Sequence, residues 1–167
     1  MKKTGLFYGT SGGRTRKVAL IIQKEFGGKA VDLFDIKDTR VSDIMKYDNL
    51  IFGTSAWGIG DMQDDWETFI DELVTLDLSG KRIALFGLGD QKNYPGSFAD
   101  AVGTLYCRLP NKENIIGYTS KEGYSYYYSA AEKEGKFIGL VIDEDSQPEL
   151  TAGRVKKWVS QLKKELK

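Results

Sequence analysis

The residues best placed to do chemistry form a run of glycines and hydroxyl side chains near the start of the chain. The run Gly9-Thr10-Ser11-Gly12-Gly13-Arg14-Thr15 follows an apolar segment and precedes a segment with helical periodicity. Backbone N–H groups at the mouth of a helix bind phosphate well, and hydroxyls and a guanidinium add donors and charge. The run matches neither GxxxxGK[ST] nor GxGxxG. It indicates a phosphate site, with a turn that only caps its own helix as the alternative.

Two aromatic residues follow later apolar segments. Trp57 lies within Thr54–Asp61, and Tyr94 lies between Gly87 and Gly96. One aromatic residue on each of two neighbouring loops suits a flat ligand held between them. The plainer interpretation is two half-buried surface aromatics. Beside a phosphate loop, the pair favours a ligand with one phosphate and a planar ring system.

These residues need a scaffold that brings the three segments together. Short apolar runs alternate with amphipathic segments, which predicts a parallel sheet with helices on both faces. The ligand of such a sheet lies at the carboxyl ends of its strands. The predicted strands are 5–8, 30–33, 50–53, 83–86 and 114–117, with 137–142 as a continuation of the fifth strand. The predicted helices are centred on 18–26, 41–45, 64–73, 98–109 and 155–162.

One segment interrupts the fifth predicted strand. Tyr118–Lys136 holds five of the nine tyrosines and is longer than a usual connection. We therefore expect a single domain over residues 1–167 with an insertion at about 118–136. The tyrosines either pack over the edge of the sheet or form a surface that docks a partner.

The composition excludes several classes of function. The chain has 24 basic residues, 24 acidic residues, one cysteine and no histidine. It therefore has no Ser-His-Asp triad, no histidine ligand for zinc and no internal disulfide. Zero net charge argues against nucleic-acid binding. Because no apolar run approaches membrane length and no signal-peptide pattern is present, we expect a cytoplasmic protein without membrane insertion.

The charges are unevenly distributed, although they sum to zero. Residues Gly60–Leu78 contain seven acids and no base, whereas Met1–Lys29 contain seven bases and one acid. The segment Arg154–Lys167 is also basic. An acidic stretch of this length can steer a basic partner, and a solvated helix face is the alternative.

Taken together, these segments resemble the flavodoxin family, long-chain type, over nearly all 167 residues. The matching segments are Phe7–Thr15, Trp57–Gly60 with Asp65–Glu67, Gly89–Gln91 with Tyr94, Gly135–Leu140 and Asp143–Asp145. The resemblance implies a flavodoxin-like doubly wound five-stranded parallel sheet with strand order 2-1-3-4-5. It also implies a low-potential one-electron carrier, not an enzyme, that holds FMN without a covalent bond.

The resemblance assigns expected roles in binding FMN. The first loop holds the phosphate, Trp57 and Tyr94 stack on the ring, and backbone groups bond its polar edge. Ser97, Phe98 and Asp100 match positions near the ribityl chain and the ring. The full set of expected cofactor-binding residues is Thr10, Ser11, Gly12, Gly13, Arg14, Thr15, Ser55, Ala56, Trp57, Gly58, Ile59, Gly60, Leu88, Gly89, Asp90, Tyr94, Ser97, Phe98 and Asp100.

Two features depart from the family pattern. Gly12 stands where a hydroxyl residue is usual, which removes one phosphate donor. The net charge is zero, whereas most flavodoxins are strongly acidic. The second departure bears on the choice of redox partners. The resemblance implies a monomer that exchanges electrons with a reductase such as ferredoxin/flavodoxin–NADP reductase, and with photosystem I or an oxidoreductase.

Two other functions fit the same topology. A flavodoxin-fold FMN enzyme such as an NAD(P)H:quinone reductase would need a nicotinamide site, and the sequence contains no second nucleotide signature. A receiver-type signalling domain needs acids after the first strand and an aspartate at the end of the third. Gly9-Thr10 and Gly53-Thr54 occupy those positions, which excludes a receiver domain.

Overall fold

The computed structural model describes residues 3–57 and 61–167, without the side chains of residues 56, 57, 61 and 62. The strands are β1 (Thr4–Tyr8), β2 (Val31–Asp35), β3 (Asn49–Trp57), β4 (Asp61–Met62), β5 (Arg82–Leu88), β6 (Ile115–Ile116), β7 (Thr119–Ser120), β8 (Glu132–Lys133), β9 (Lys136–Phe137) and β10 (Leu140–Ile142). The α-helices are α1 (Arg14–Phe26), α2 (Val41–Ile44), α3 (Asp64–Leu73), α4 (Asp100–Arg108) and α5 (Thr151–Glu165).

The central sheet is parallel and has the expected strand order. The order runs β2-β1-β3-β5, and both β6 and β10 then pair in parallel with β5. Ile83 pairs with Ile115, and Phe86 pairs with Leu140 further along the same strand. The fifth position of the sheet is therefore shared by two short strands. The predicted order 2-1-3-4-5 is confirmed.

Helices cover both faces of the sheet because the strands are apolar on both sides. Successive residues of a strand point to opposite faces, so Leu6 and Phe7 enter different cores. Leu6 packs in the core that α1 and α5 close, where Trp158 is buried. Phe7 packs in the core that α3 and α4 close, where Trp66 is buried.

The segment between β6 and β10 folds against the edge of the sheet. It contains a small antiparallel sheet of order β7-β9-β8. Tyr124 and Tyr126 pack on Phe98, whereas Tyr127 and Tyr128 are 88% and 61% exposed. Tyr124 and Tyr126 therefore pack over the edge of the sheet, whereas Tyr127 and Tyr128 face solvent, and docking of a partner by the insertion stays a prediction.

Two predicted boundaries near the ligand end of the sheet are wrong. The third strand was expected to end at Gly53 but continues to Trp57, because β4 adds antiparallel pairing at Ala56 and Trp57. The fourth helix was expected from Phe98 but begins at Asp100. Ala99 precedes it with a φ of 54°, a left-handed conformation that ends the preceding loop.

Candidate functional site

A cleft of about 400 Å³ lies at the carboxyl ends of β1, β3 and β5. Strand pairing brings these ends together, since Tyr8 pairs with Gly53 and Ser55 pairs with Leu88. The first loop and the segment after β5 form its two main walls. The lining residues are Thr10, Ser11, Gly12, Arg14, Thr15, Ser55, Leu88, Gly89, Asp90, Asn93, Tyr94, Ser97, Ala99, Glu144 and Asp145.

The first wall is the loop that enters α1. Gly13 precedes the helix with a φ of 83°, and no side chain caps the helix. The first helical hydrogen bond runs from the Lys17 N–H to the Gly13 carbonyl, so the first-turn N–H groups have no partner in the helix. The side chain of Thr15 is buried, yet its hydroxyl has no partner among the described residues. A buried hydroxyl beside an uncapped helix end fits a bound phosphate oxygen.

Basic and acidic side chains face each other at the mouth of this wall. Arg14 forms an ion pair with Asp145, and Lys17 Nζ lies 3.8 Å from Glu144 Oε2. The hydrogen bond and the charge of Asp145 raise the pKa of Arg14, which stays a cation. The cation that could bind an anion in the cleft is thus already paired with a carboxylate.

The second wall is the segment after β5, and hydrogen bonds to Asp90 stabilise its turn. Its carboxylate accepts hydrogen bonds from the N–H groups of Lys92 and Asn93, at 3.2 and 3.1 Å. The Asn93 amide donates to the same carboxylate at 2.6 Å, and the Tyr94 N–H donates to the Asp90 carbonyl at 2.9 Å. This tight turn presents the Tyr94 ring, which is 42% exposed, on the cleft. An aromatic face placed there can cover a planar ring system.

Asp143, which follows β10, stabilises the second wall through hydrogen bonds to its carboxylate. Its buried carboxylate accepts hydrogen bonds from the Gln91 N–H and amide at 3.1 and 2.8 Å, and from the Asp145 and Ser146 N–H groups at 3.1 and 2.9 Å. Burial alone would raise the pKa of Asp143, but the hydrogen bonds from Ser146 and Gln91 outweigh it and hold the pKa below its ordinary value. Asp143 is therefore a charged anchor for the turn after β5.

The 118–136 insertion braces the same wall. The Pro95 carbonyl accepts hydrogen bonds from the N–H groups of Tyr127 and Tyr128 at 2.7 and 3.0 Å. The Ser125 N–H donates to the side-chain oxygen of Gln91 at 2.6 Å. Since Gln91 also bonds Asp143, the insertion, the second wall and the end of β10 form one hydrogen-bonded unit.

Most of the residues expected from the sequence line the cleft, and Gly13 stands at the helix entry beside it. Phe98 and Asp100 do not. Phe98 is buried against Tyr124 and Tyr126, and Asp100 Oδ1 accepts a hydrogen bond from the Ala130 N–H at 2.7 Å. Burial also raises the pKa of Asp100. Gly58, Ile59, Gly60 and the side chains of Ala56 and Trp57 lie outside the described residues.

Four lining residues were not expected: Asn93, Ala99, Glu144 and Asp145. The acidic segment Asp143–Asp145 follows the last strand, so its place at the carboxyl edge of the sheet was available as a signal. Asn93 and Ala99 lie within the segment after β5, but nothing in their residue types distinguishes them.

Fold and cleft together define a doubly wound α/β protein with a cleft at the switch point of its sheet, beside the uncapped start of α1. The family model for flavodoxin matches residues 6–158. The chain is 47% identical to a flavodoxin of Synechococcus elongatus, over 99% of this chain and 98% of that one. It is 42% identical to flavodoxin 1 of Escherichia coli, over 99% and 96%. The chain belongs to the flavodoxin family.

Solved structures agree with this assignment. The flavodoxin of Fusobacterium nucleatum bound to flavin mononucleotide superposes with a TM-score of 0.93 at 32% identity, over all of both chains. Its K13G mutant, also bound to flavin mononucleotide, superposes with a TM-score of 0.94 at 33% identity, over 100% of this chain and 98% of that one. Separately, none of the helices within residues 3–57 and 61–167 has the length and hydropathy needed to cross a membrane.

Proposed function

We propose that this protein is a low-potential one-electron carrier that holds FMN non-covalently in the cleft. The observation that carries the proposal is the buried Thr15 hydroxyl, which has no partner among the described residues and stands at the uncapped start of α1. A phosphate monoester supplies the acceptor oxygens that this hydroxyl and the first-turn N–H groups lack. Bound FMN supplies the redox chemistry, and the protein supplies binding, orientation and electrostatics.

The binding residues divide between the two walls. The phosphate group binds to the wall formed by Thr10–Thr15, with Arg14 as its nearest cation. Tyr94 covers one face of the ring, and Trp57 covers the other. Backbone groups of residues 55–60 and 88–90 bond the polar edge of the ring, and Ser97 lies beside the cleft with them. Phe98 and Asp100 support this site through the insertion rather than by touching the cofactor.

We further propose that the protein works as a cytoplasmic monomer among redox proteins. A carrier needs no general acid or base, so the absence of histidine is compatible with this function. Ferredoxin/flavodoxin–NADP reductase is a candidate reductant. Photosystem I or an oxidoreductase is a candidate for the other partner. The acidic first turn of α3, with Asp64, Asp65 and Glu67, supports a basic docking surface on such partners.

Purification and cofactor analysis test the proposal. We expect a yellow protein that releases one FMN per chain on denaturation, identified by chromatography against FAD and riboflavin. The pure protein should not oxidise NADH or NADPH until a reductase is added. A protein without FMN, or one that oxidises NAD(P)H alone, would contradict the carrier function. If the pure protein oxidises NAD(P)H with only a quinone as acceptor, the result would favour the NAD(P)H:quinone reductase.

A further inference from the structure

A buried glutamine connects the phosphate wall of the cleft to helix α3. Gln63 is 1% exposed and lies just before that helix. Its amide nitrogen donates to Ser11 Oγ at 3.1 Å and to Asp65 Oδ2 at 2.7 Å. These contacts place one side chain between the first loop and the acidic start of α3.

The partners of Gln63 fix the direction of its hydrogen bonds. A carboxylate only accepts hydrogen bonds, so the nitrogen of the Gln63 amide must face Asp65. An amide nitrogen carries two hydrogens, and Asp65 and Ser11 receive one each. The Ser11 oxygen is therefore an acceptor toward Gln63, and its own hydroxyl hydrogen remains free for another acceptor. Ser11 lines the cleft and is exposed, so its hydroxyl can donate a hydrogen bond to an anionic oxygen in the cleft.

Packing prevents the glutamine from turning away. The backbone of Gly9 lies against the Gln63 amide and the Trp66 ring, so that a side chain at Gly9 would collide with both. Trp66 is itself held by a hydrogen bond of 2.6 Å from its ring N–H to the Gly53 carbonyl. Both neighbours are held by hydrogen bonds to the Gly53 carbonyl, which restricts rotation of the Gln63 side chain.

We infer that Gln63 is a positioning residue for the cofactor phosphate: it orients the Ser11 hydroxyl so that the hydroxyl donates into the cleft. The inference rests on the proposed FMN function and adds a residue that does not line the cleft. The two hydrogens of the buried Gln63 amide are matched by Ser11 and Asp65, whereas the amide oxygen has no hydrogen-bond partner among the described residues.

Riboflavin and FMN distinguish this role from a general structural one, because riboflavin is FMN without the phosphate. We expect Gln63→Met to raise the dissociation constant of FMN for the apoprotein about tenfold and that of riboflavin less than about twofold. Ser11→Ala should have the same two effects. Titration of flavin fluorescence with apoprotein measures all four constants.

The double variant gives the decisive comparison. If Gln63 acts through Ser11, then Gln63→Met combined with Ser11→Ala weakens FMN by about tenfold, no more than either change alone. A loss of about a hundredfold, or equal losses of FMN and riboflavin, would overturn the inference. Wild-type apoprotein that binds neither flavin would instead refute the proposed function.

A surface variant covers the case in which Gln63→Met does not fold. Asp65→Ala removes the carboxylate that accepts a hydrogen bond from the Gln63 amide, and we expect this variant to bind FMN about threefold more weakly. In a protein that already carries Ser11→Ala, adding Asp65→Ala should not weaken FMN binding further. Asp64→Ala is the matched control, because it removes the same charge from the same helix turn, and among the described residues Asp64 makes no hydrogen bond to the Gln63 amide. Loss of a negative charge alone favours an anion, so tighter FMN binding in both variants would contradict the inference.

Discussion

The wall of the cleft formed by residues 10–15 and the wall formed by residues 88–97 differ in where their polar groups find partners. In the second wall, the Asp90 carboxylate, the Pro95 carbonyl and the Gln91 side chain all bond other parts of the protein. In the first wall, the Thr15 hydroxyl has no partner among the described residues, and the start of α1 has no side-chain cap.

This difference indicates that the second wall sets the shape of the cleft, whereas the first wall sets the affinity for the ligand. A wall whose hydrogen bonds are complete is rigid without a ligand and can present a ring-binding face such as Tyr94. A wall that leaves buried donors unmatched is less stable alone, and a ligand that supplies acceptors recovers the free energy. Changes in the second wall should therefore lower the stability of the apoprotein, whereas changes in the first wall should mainly alter FMN affinity.

The largest expected effect comes from removing the anchor of the second wall. Asp143→Ala should lower the free energy of unfolding of the apoprotein by about 3 kcal/mol, because it leaves the donors of the buried Gln91 and the partly buried Ser146 unmatched. Urea denaturation at neutral pH measures the loss. Asp145→Ala, an exposed neighbour, serves as the control and should cost much less. An equally stable Asp143→Ala protein would show that the second wall does not depend on this anchor.

The stability difference between the wild type and Asp143→Ala should also depend on pH. The pKa of Asp143 is lowered in the folded protein, so its contribution is complete above the unfolded value of about 4 and is lost as pH falls through the folded value. The stability advantage of the wild type over Asp143→Ala should therefore be constant from about pH 6 to about pH 8 and should shrink below about pH 4. A difference that stays constant into acid would contradict the charged state of this carboxylate.

The next prediction concerns the unmatched hydroxyl of the first wall. Thr15→Val keeps the shape of the side chain but removes the hydroxyl, so FMN should bind about 30-fold more weakly, a loss of about 2 kcal/mol. The apoprotein should be as stable as the wild type or up to about 1 kcal/mol more stable, because a buried unpaired hydroxyl is removed. Flavin titration and urea denaturation measure the two quantities. A variant that loses apoprotein stability while keeping FMN affinity would reverse the assignment of the two walls.

Much of the first wall could be predicted from the sequence, because its information is local. Glycines and hydroxyls between a strand and a helix define the loop without knowledge of the rest of the fold, and the structure places Thr10–Thr15 as expected relative to β1 and α1. The alternation of apolar and amphipathic segments predicted the parallel sheet, and the family resemblance predicted its strand order.

The second wall could not be predicted to the same depth, because its support is distant in sequence. Asp143 is 52 residues from Gln91, and Ser125 is 34 residues from it. Phe98 and Asp100 illustrate the consequence. The family resemblance places both residues near the ribityl chain and the ring, and that placement stays a prediction. Their contacts with the insertion, through Tyr124, Tyr126 and Ala130, could not be predicted from the sequence.

A smaller effect is expected when a donor is added to the first wall. Gly12 has open space where a Cβ would stand and is not among the glycines with a positive φ, so a side chain is tolerated there. Gly12→Thr should tighten FMN binding about fivefold, or about 1 kcal/mol, if its hydroxyl reaches the phosphate. Gly12→Ala controls for the loss of backbone freedom and should change affinity less. Equal affinities in Gly12→Thr and Gly12→Ala would show that the loop already satisfies the phosphate.

The smallest expected effect tests the ion pair between Arg14 of the first wall and Asp145, which follows β10 at the mouth of the cleft. Asp145→Ala frees the Arg14 guanidinium and removes a negative charge from the lining, both of which favour an anionic ligand. Because the two side chains are 59% and 35% exposed, solvent screens the pair and the gain in FMN affinity should be only about twofold, or about 0.5 kcal/mol. Titrations at low and high salt measure it, and the gain should decrease as salt increases. Riboflavin, which lacks the phosphate, should show no such gain; weaker FMN binding in the variant would instead mean that Asp145 holds Arg14 in its binding position.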